Sequence, residues 1–136
     1  MQSTVTWNSG MAFTALQGGH SIALDAPVAS GGQDSGASPK GLLLSGLGGC
    51  TGIDVVSILE KMRVHLDGFE VQASAELTEE HPKVFKSIHL RYVFRGRELA
   101  MDKLEKAVIL SMDRYCGVSA MLAKAAPITW EIVIEG

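Results

Sequence analysis

At 136 residues, 46% hydrophobic and 20% charged, the chain has the size and composition of one globular domain spanning 1–136 with a real core. A formal net charge of -3 removes the electrostatic case for nucleic acid or an anionic membrane surface, so neither partner is expected. Residues 1–7 show no basic stretch leading into an apolar core, so no secretory signal is visible and a cytoplasmic location with reduced cysteines is the expectation.

Residues 3–7, 11–16 and 20–25 are short, partly alternating runs separated by Asn8-Ser9-Gly10 and Gln17-Gly18-Gly19, the pattern of a small antiparallel meander. Residues 26–38 are rich in Gly, Ser and Pro with nothing periodic to bury, which predicts a loop that is mobile until it docks. Ser38-Pro39 has the form of an N-cap followed by proline at the first helical position. A helix from 40 to 63 would extend about 36 Å at 1.5 Å per residue. It is apolar around most of its circumference, and one small chain has little material to wrap it, so a partner subunit is expected. Within it, residues 42–59 carry Asp54 as their only charge. That charge near the middle and four glycines argue for a buried helix over a membrane span.

Residues 69–77 and 85–94 alternate as two half-buried strands of a hairpin. An amphipathic helix is predicted over 99–112, a break near Tyr115, a short helix over 118–125, and a last strand over 128–134 after Pro127. This order predicts an α+β domain in which an antiparallel sheet, buried on one face, packs on helices.

Chemistry centres on two cysteines, Cys50 in Leu47-Gly48-Gly49-Cys50-Thr51-Gly52 and Cys116 in Tyr115-Cys116-Gly117-Val118-Ser119. Glycines inside a helix cost up to about 1 kcal/mol each relative to alanine, so Gly46, Gly48, Gly49 and Gly52 imply either close helix packing or room for a substrate beside Cys50. A nucleophilic cysteine must be a thiolate, favoured by a nearby cation. Asp54, one turn beyond Cys50, opposes ionisation unless a cation neutralises it; Arg114 is the candidate if the two cysteines meet. For each thiol alone, simple packing in a core is the alternative. His20, His65, His81 and His89 have no zinc-binding spacing with the cysteines, so no metal is expected. Phosphate-loop, dinucleotide and Ser-His-Asp patterns are absent, and no cofactor is expected.

Several motifs together resemble the OsmC/Ohr family (osmotically inducible protein C and organic hydroperoxide resistance protein). They are Leu24-Asp25-Ala26-Pro27 with Gly31-Gly32, Ser38-Pro39, the run from Leu42 to Thr51, and Tyr115-Cys116-Gly117-Val118-Ser119. The run Gly49 to Leu59 with Gly19-His20-Ser21-Ile22 is most similar to the YhfA-like branch. The resemblance implies an OsmC-like fold, an intertwined homodimer around paired central helices, and a thiol-dependent peroxidase acting in oxidative or osmotic stress defence. By carry-over, Cys50 attacks an organic hydroperoxide and becomes a sulfenic acid; Cys116 resolves it as a disulfide that an external dithiol reduces.

One departure stands out. The family's activating arginine comes from the N-terminal part of the chain, and its orienting glutamate from the start of the long helix. Here residues 1–39 contain no arginine or lysine, and the helix opens Lys40-Gly41. Lys40, Arg114 or an arginine of the other subunit could substitute. Without such a substitute, the sequence reads as a small-ligand-binding or redox-sensing protein of the same fold.

Overall fold

Glycine turns build the first sheet. In the computed structural model, which describes residues 1–136, β1 (Thr4–Ser9), β2 (Ala12–Gln17) and β3 (His20–Leu24) pair antiparallel in that order. Gly18 and Gly19 both have positive φ, 51° and 84°, between the paired residues Gln17 and His20. That is the two-residue turn whose twist matches antiparallel strands and that side chains disfavour. The meander is therefore as expected.

This sheet belongs to the first of two compact units, Met1–Leu43; the second is Leu44–Gly136. The loop after β3 is organised by the Asp25 carboxylate. Its oxygens accept backbone N–H groups of Ala26 (2.7 Å), Gln33 (3.1 Å) and Ser35 (3.1 Å) and the Ser35 hydroxyl (2.7 Å). Gly32 and Gly36 let the loop pass close by: a Cβ on Gly32 would stand 1.9 Å from the Ala26 carbonyl oxygen, and one on Gly36 2.6 Å from the Ala23 carbonyl. The loop closes where Ala37 donates to the Ala23 carbonyl at 2.9 Å and Asp25 donates to that of Ala37 at 3.2 Å.

The Ser35 hydroxyl, followed by the backbone donors, lowers the Asp25 carboxyl from 3.8 to about 2. A depressed folded-state pKa stabilises the ionised form, so the contribution is complete above about 3.8 and is lost as pH falls toward 2. We expect the Gln33 and Ser35 amides to lose hydrogen-exchange protection between those values, and Asp25→Asn to lose it at neutral pH. Unchanged protection in either experiment would refute the role given to Asp25.

The predicted cap of the long helix is in place: Ser38 Oγ accepts the Gly41 N–H at 3.2 Å, and α1 runs Pro39–Lys61. In the second unit α1 buries one stripe, Leu47, Thr51, Val55 and Leu59, at the four-residue spacing of one helical face. By length and hydropathy α1 could cross a membrane; 22% of its most apolar window is buried.

The hairpin β4 (Gly68–Leu77) and β5 (Phe85–Arg95) forms as expected, with β5 central in the order β4-β5-β6. Ile88, Leu90, Tyr92 and Phe94 alternate along β5 and are buried with the α1 stripe and with Leu104, Ala107 and Val108 of α2 (Met101–Leu110). Phe69 stacks on Phe94 with centroids 4.7 Å apart, and Trp130 meets Tyr92 edge-on at 6.3 Å.

The last strand corrects the expectation of a purely antiparallel sheet. β6 (Ile128–Glu135) pairs parallel to β5, from Ile88↔Ile128 to Arg95↔Glu135. The physical reason is the connection: α2, a π turn at Ser111–Tyr115 and α3 (Gly117–Leu122) form a crossover, which brings the chain back to start in the same direction.

Candidate active site

Cys50 and Cys116, 66 positions apart in the chain, meet. Their sulfurs and a carboxylate oxygen of Asp54 all lie within 4.8 Å of one another. Both thiols are free; Cys50 is half-buried and Cys116 is 3% exposed. Residues 50 and 54 share a face of α1 one turn apart, so the carboxylate is beside the thiol by helical geometry alone.

Cys116 arrives by a less regular route. After α2 the hydrogen-bond ladder widens: the Cys116 N–H donates to the Ser111 carbonyl, five residues back, at 2.7 Å. This π turn leaves Cys116 extended at φ -76°, ψ 102°, as the N-cap of α3. Its sulfur accepts the Ser119 N–H at 3.3 Å. Burial pushes the Cys116 thiol up, while the Ser119 amide acts in the opposite direction and the neighbouring Cys50 adds to the rise.

Sequence reasoning missed the support of Asp54. Ser111 Oγ donates to Asp54 Oδ2 at 2.9 Å, Thr51 Oγ1 lies 2.8 Å from Ser111 Oγ, and the Tyr92 hydroxyl lies 2.8 Å from Thr51 Oγ1. A hydroxyl has one hydrogen, so Ser111, giving its own to the carboxylate, must accept from Thr51, which in turn accepts from Tyr92. The chain of three hydroxyls is thus polarised toward Asp54. Burial pushes the Tyr92 phenol up to about 12, which keeps it a donor. The available signal was Thr51 in phase with Leu47, Val55 and Leu59: a hydroxyl on a buried stripe needs a partner.

Neither expected cation is ion-paired to Asp54. Arg114 is exposed, its guanidinium 5.6 Å from the centre of the Tyr115 ring, and makes no ion pair with Asp54. Lys40 is exposed in the first turn of α1 and belongs to the first unit. Asp54 also lines a cleft of about 420 Å³ with Ile58, Met62, Leu110, Tyr115, Lys61 and Lys106, and neither lysine is ion-paired to it. Among the histidines, His89 is held by Thr129 and Glu131, each at 2.7 Å.

Residues 32–131 match the family described as OsmC-like protein. The chain belongs to the OsmC-like protein family. This OsmC-like chain is 40% identical over 136 residues to Protein YhfA of Escherichia coli K12, with 98% of each covered. It superimposes on a hypothetical protein from Aquifex aeolicus with a TM-score of 0.84 at 29% identity, covering 99% of this chain and 97% of that one. The organic hydroperoxide resistance protein OhrB of Bacillus subtilis shares the fold, with a TM-score of 0.67 at 20% identity over 97% and 98% of the two chains. The family match begins within the first unit and runs through most of the second, and the cysteine pair with its hydroxyl chain lies wholly in the second.

Proposed function

We propose that this OsmC-like protein is a thiol-dependent peroxidase that reduces organic hydroperoxides in a stress-related redox role. The observation that carries the reading is the convergence of two free thiols from distant elements. Their unequal burial supports the division of labour. Cys50, the accessible sulfur, attacks the terminal oxygen of the hydroperoxide; the O–O bond breaks, an alcohol leaves and Cys50 becomes a sulfenic acid. Cys116, held inside, then attacks that sulfur, water leaves and a disulfide forms, which an external dithiol reduces. In this reading Asp54, with a carboxylate oxygen within 4.8 Å of the Cys50 sulfur, takes the Cys50 proton. A carboxylate is a weak base for a thiol, so turnover is expected to be slow unless a cation assists. The test is the free-thiol count and intact mass of the reduced protein after one equivalent of cumene hydroperoxide. Loss of both thiols together with two hydrogens' mass supports the cycle, and two thiols surviving long exposure refute it.

A second reading, a redox sensor or small-ligand carrier, draws on the absence of any ion-paired cation at Asp54. It predicts thiols that oxidise slowly and a retained small molecule in native mass spectra.

The same proposal makes the protein a homodimer about α1. Gly46, Gly49, Ile53 and Val56 form an exposed stripe on that helix, with Ile53 72% accessible, and a Cβ at Gly46 or Gly49 would meet nothing within 4 Å. Packing within the chain thus gives no reason for these two glycines, whereas a second helix approaching closely would. We expect sedimentation equilibrium to find a dimer for the wild type and a monomer for Ile53→Asp. A monomeric wild type would remove the dimer, and a variant that stays dimeric would move its interface away from this stripe of α1.

A further inference from the structure

We infer that Cys50, Asp54 and Cys116 form a binding site for a thiophilic divalent cation of the zinc class. Three donor atoms from two separate segments converge within 4.8 Å. The two sulfurs and one oxygen of a tetrahedral zinc site stand about 3.6 to 3.8 Å apart, given metal–ligand bonds near 2.3 Å to sulfur and about 2.1 Å to oxygen, so a contraction of at most about 1.2 Å closes the set. Two thiolates and one carboxylate select zinc over magnesium or calcium, which prefer all-oxygen shells.

Outer hydrogen bonds that hold the ligands in place are the second requirement of such a site. Asp54 Oδ2 is held by Ser111 Oγ, which is backed by Thr51 and Tyr92, and Cys116 Sγ by the Ser119 N–H. The charge argument agrees. Two sulfurs and a carboxylate at this distance repel one another once ionised, and neither Arg114, Lys61 nor Lys106 pairs with Asp54. A divalent cation binds all three and neutralises most of that charge. With three protein ligands the fourth position is left to water, and Cys50, half-buried, gives the ion a route in.

The ion and the disulfide exclude each other, because each engages both sulfurs. In this one respect the inference rests on the peroxidase reading: a hydroperoxide takes two electrons from the two bound thiolates, and two protons come from solvent. The products are a disulfide, an alcohol, water and the released cation.

The decisive measurement uses reduced, chelator-stripped protein titrated with Zn²⁺, and with Co²⁺ as a spectroscopic probe, without any hydroperoxide. Expected are one ion per chain, protection of both cysteines from alkylation mapped by mass spectrometry, and a thiolate-to-cobalt charge-transfer band. Cys50→Ser should remove that band, and Asp54→Asn should weaken binding by at least about tenfold, as should Ser111→Ala. Reactive thiols in the presence of saturating Zn²⁺, or a binding constant that the three variants leave unchanged, would overturn the site. The wild-type alkylation result stands even if a variant fails to fold. Because these readouts need no turnover, an inactive peroxidase that protects its thiols with Zn²⁺ would refute the function and leave the metal site standing. In an active enzyme, a chelating dye should then report cation release on addition of cumene hydroperoxide.

Discussion

Cys50→Ser is expected to lower hydroperoxide consumption to the protein-free background, a loss of more than about a thousandfold of whatever rate the wild type shows. A serine hydroxyl at this position has no base strong enough to ionise it and no comparable affinity for peroxide oxygen. Cys116→Ser should behave differently. The first equivalent of cumene hydroperoxide is still reduced, because the attacking sulfur is intact, but the sulfenic acid on Cys50 has no partner and accumulates as a species one oxygen heavier that a dimedone-type reagent traps. Turnover with an external dithiol then slows or stops. The asymmetry follows from burial: Cys116 is 3% exposed, with its thiol pushed up by that burial, whereas Cys50 is reachable. Equal consumption by wild type and Cys50→Ser would end the peroxidase reading. The reverse pattern, with sulfenic acid trapped on Cys116 in Cys50→Ser, would exchange the two roles.

What the chain reveals before folding is uneven. Local rules read well where one residue decides a backbone state: Gly18-Gly19 marks a left-handed turn, Ser38-Pro39 a helix start, and the alternation of residues 85–94 a strand. The direction of β6 was not legible, because alternation records which face of a strand is buried and not which way it runs. The π turn was hidden for a related reason. Apolar spacing through 112 is fitted by a 3.6-residue period, yet Ser111–Tyr115 widen the ladder and deliver Cys116 as the N-cap of α3. Asp54 beside Cys50 could be read from their four-residue spacing. Its partners could not: Thr51, Tyr92 and Ser111 each suit their own element, and only tertiary packing makes them one network.

That network sets the second large effect. Thr51→Val keeps the shape and volume of the side chain but removes the hydroxyl between Tyr92 and Ser111, all three of which are fully buried. The Tyr92 O–H, whose only hydrogen-bond partner is Thr51, is left as an unsatisfied donor in the core. A stranded buried donor costs about 1 to 3 kcal/mol, and loss of the bond to Ser111 adds to it, so we expect about 2 to 3 kcal/mol less stability in urea unfolding. Tyr92→Phe should cost only about 1 kcal/mol, since it removes the donor and leaves Thr51 short of one incoming bond while still donating to Ser111. The double variant then decides whether the hydroxyls act as a directed chain. If Tyr92 donates to Thr51, removing the phenol as well relieves the stranded group, and the double variant is no less stable than Thr51→Val alone. Strict additivity of the two losses would mean that the hydroxyls are not coupled, and the orientation of Asp54 toward the two sulfurs would need another origin.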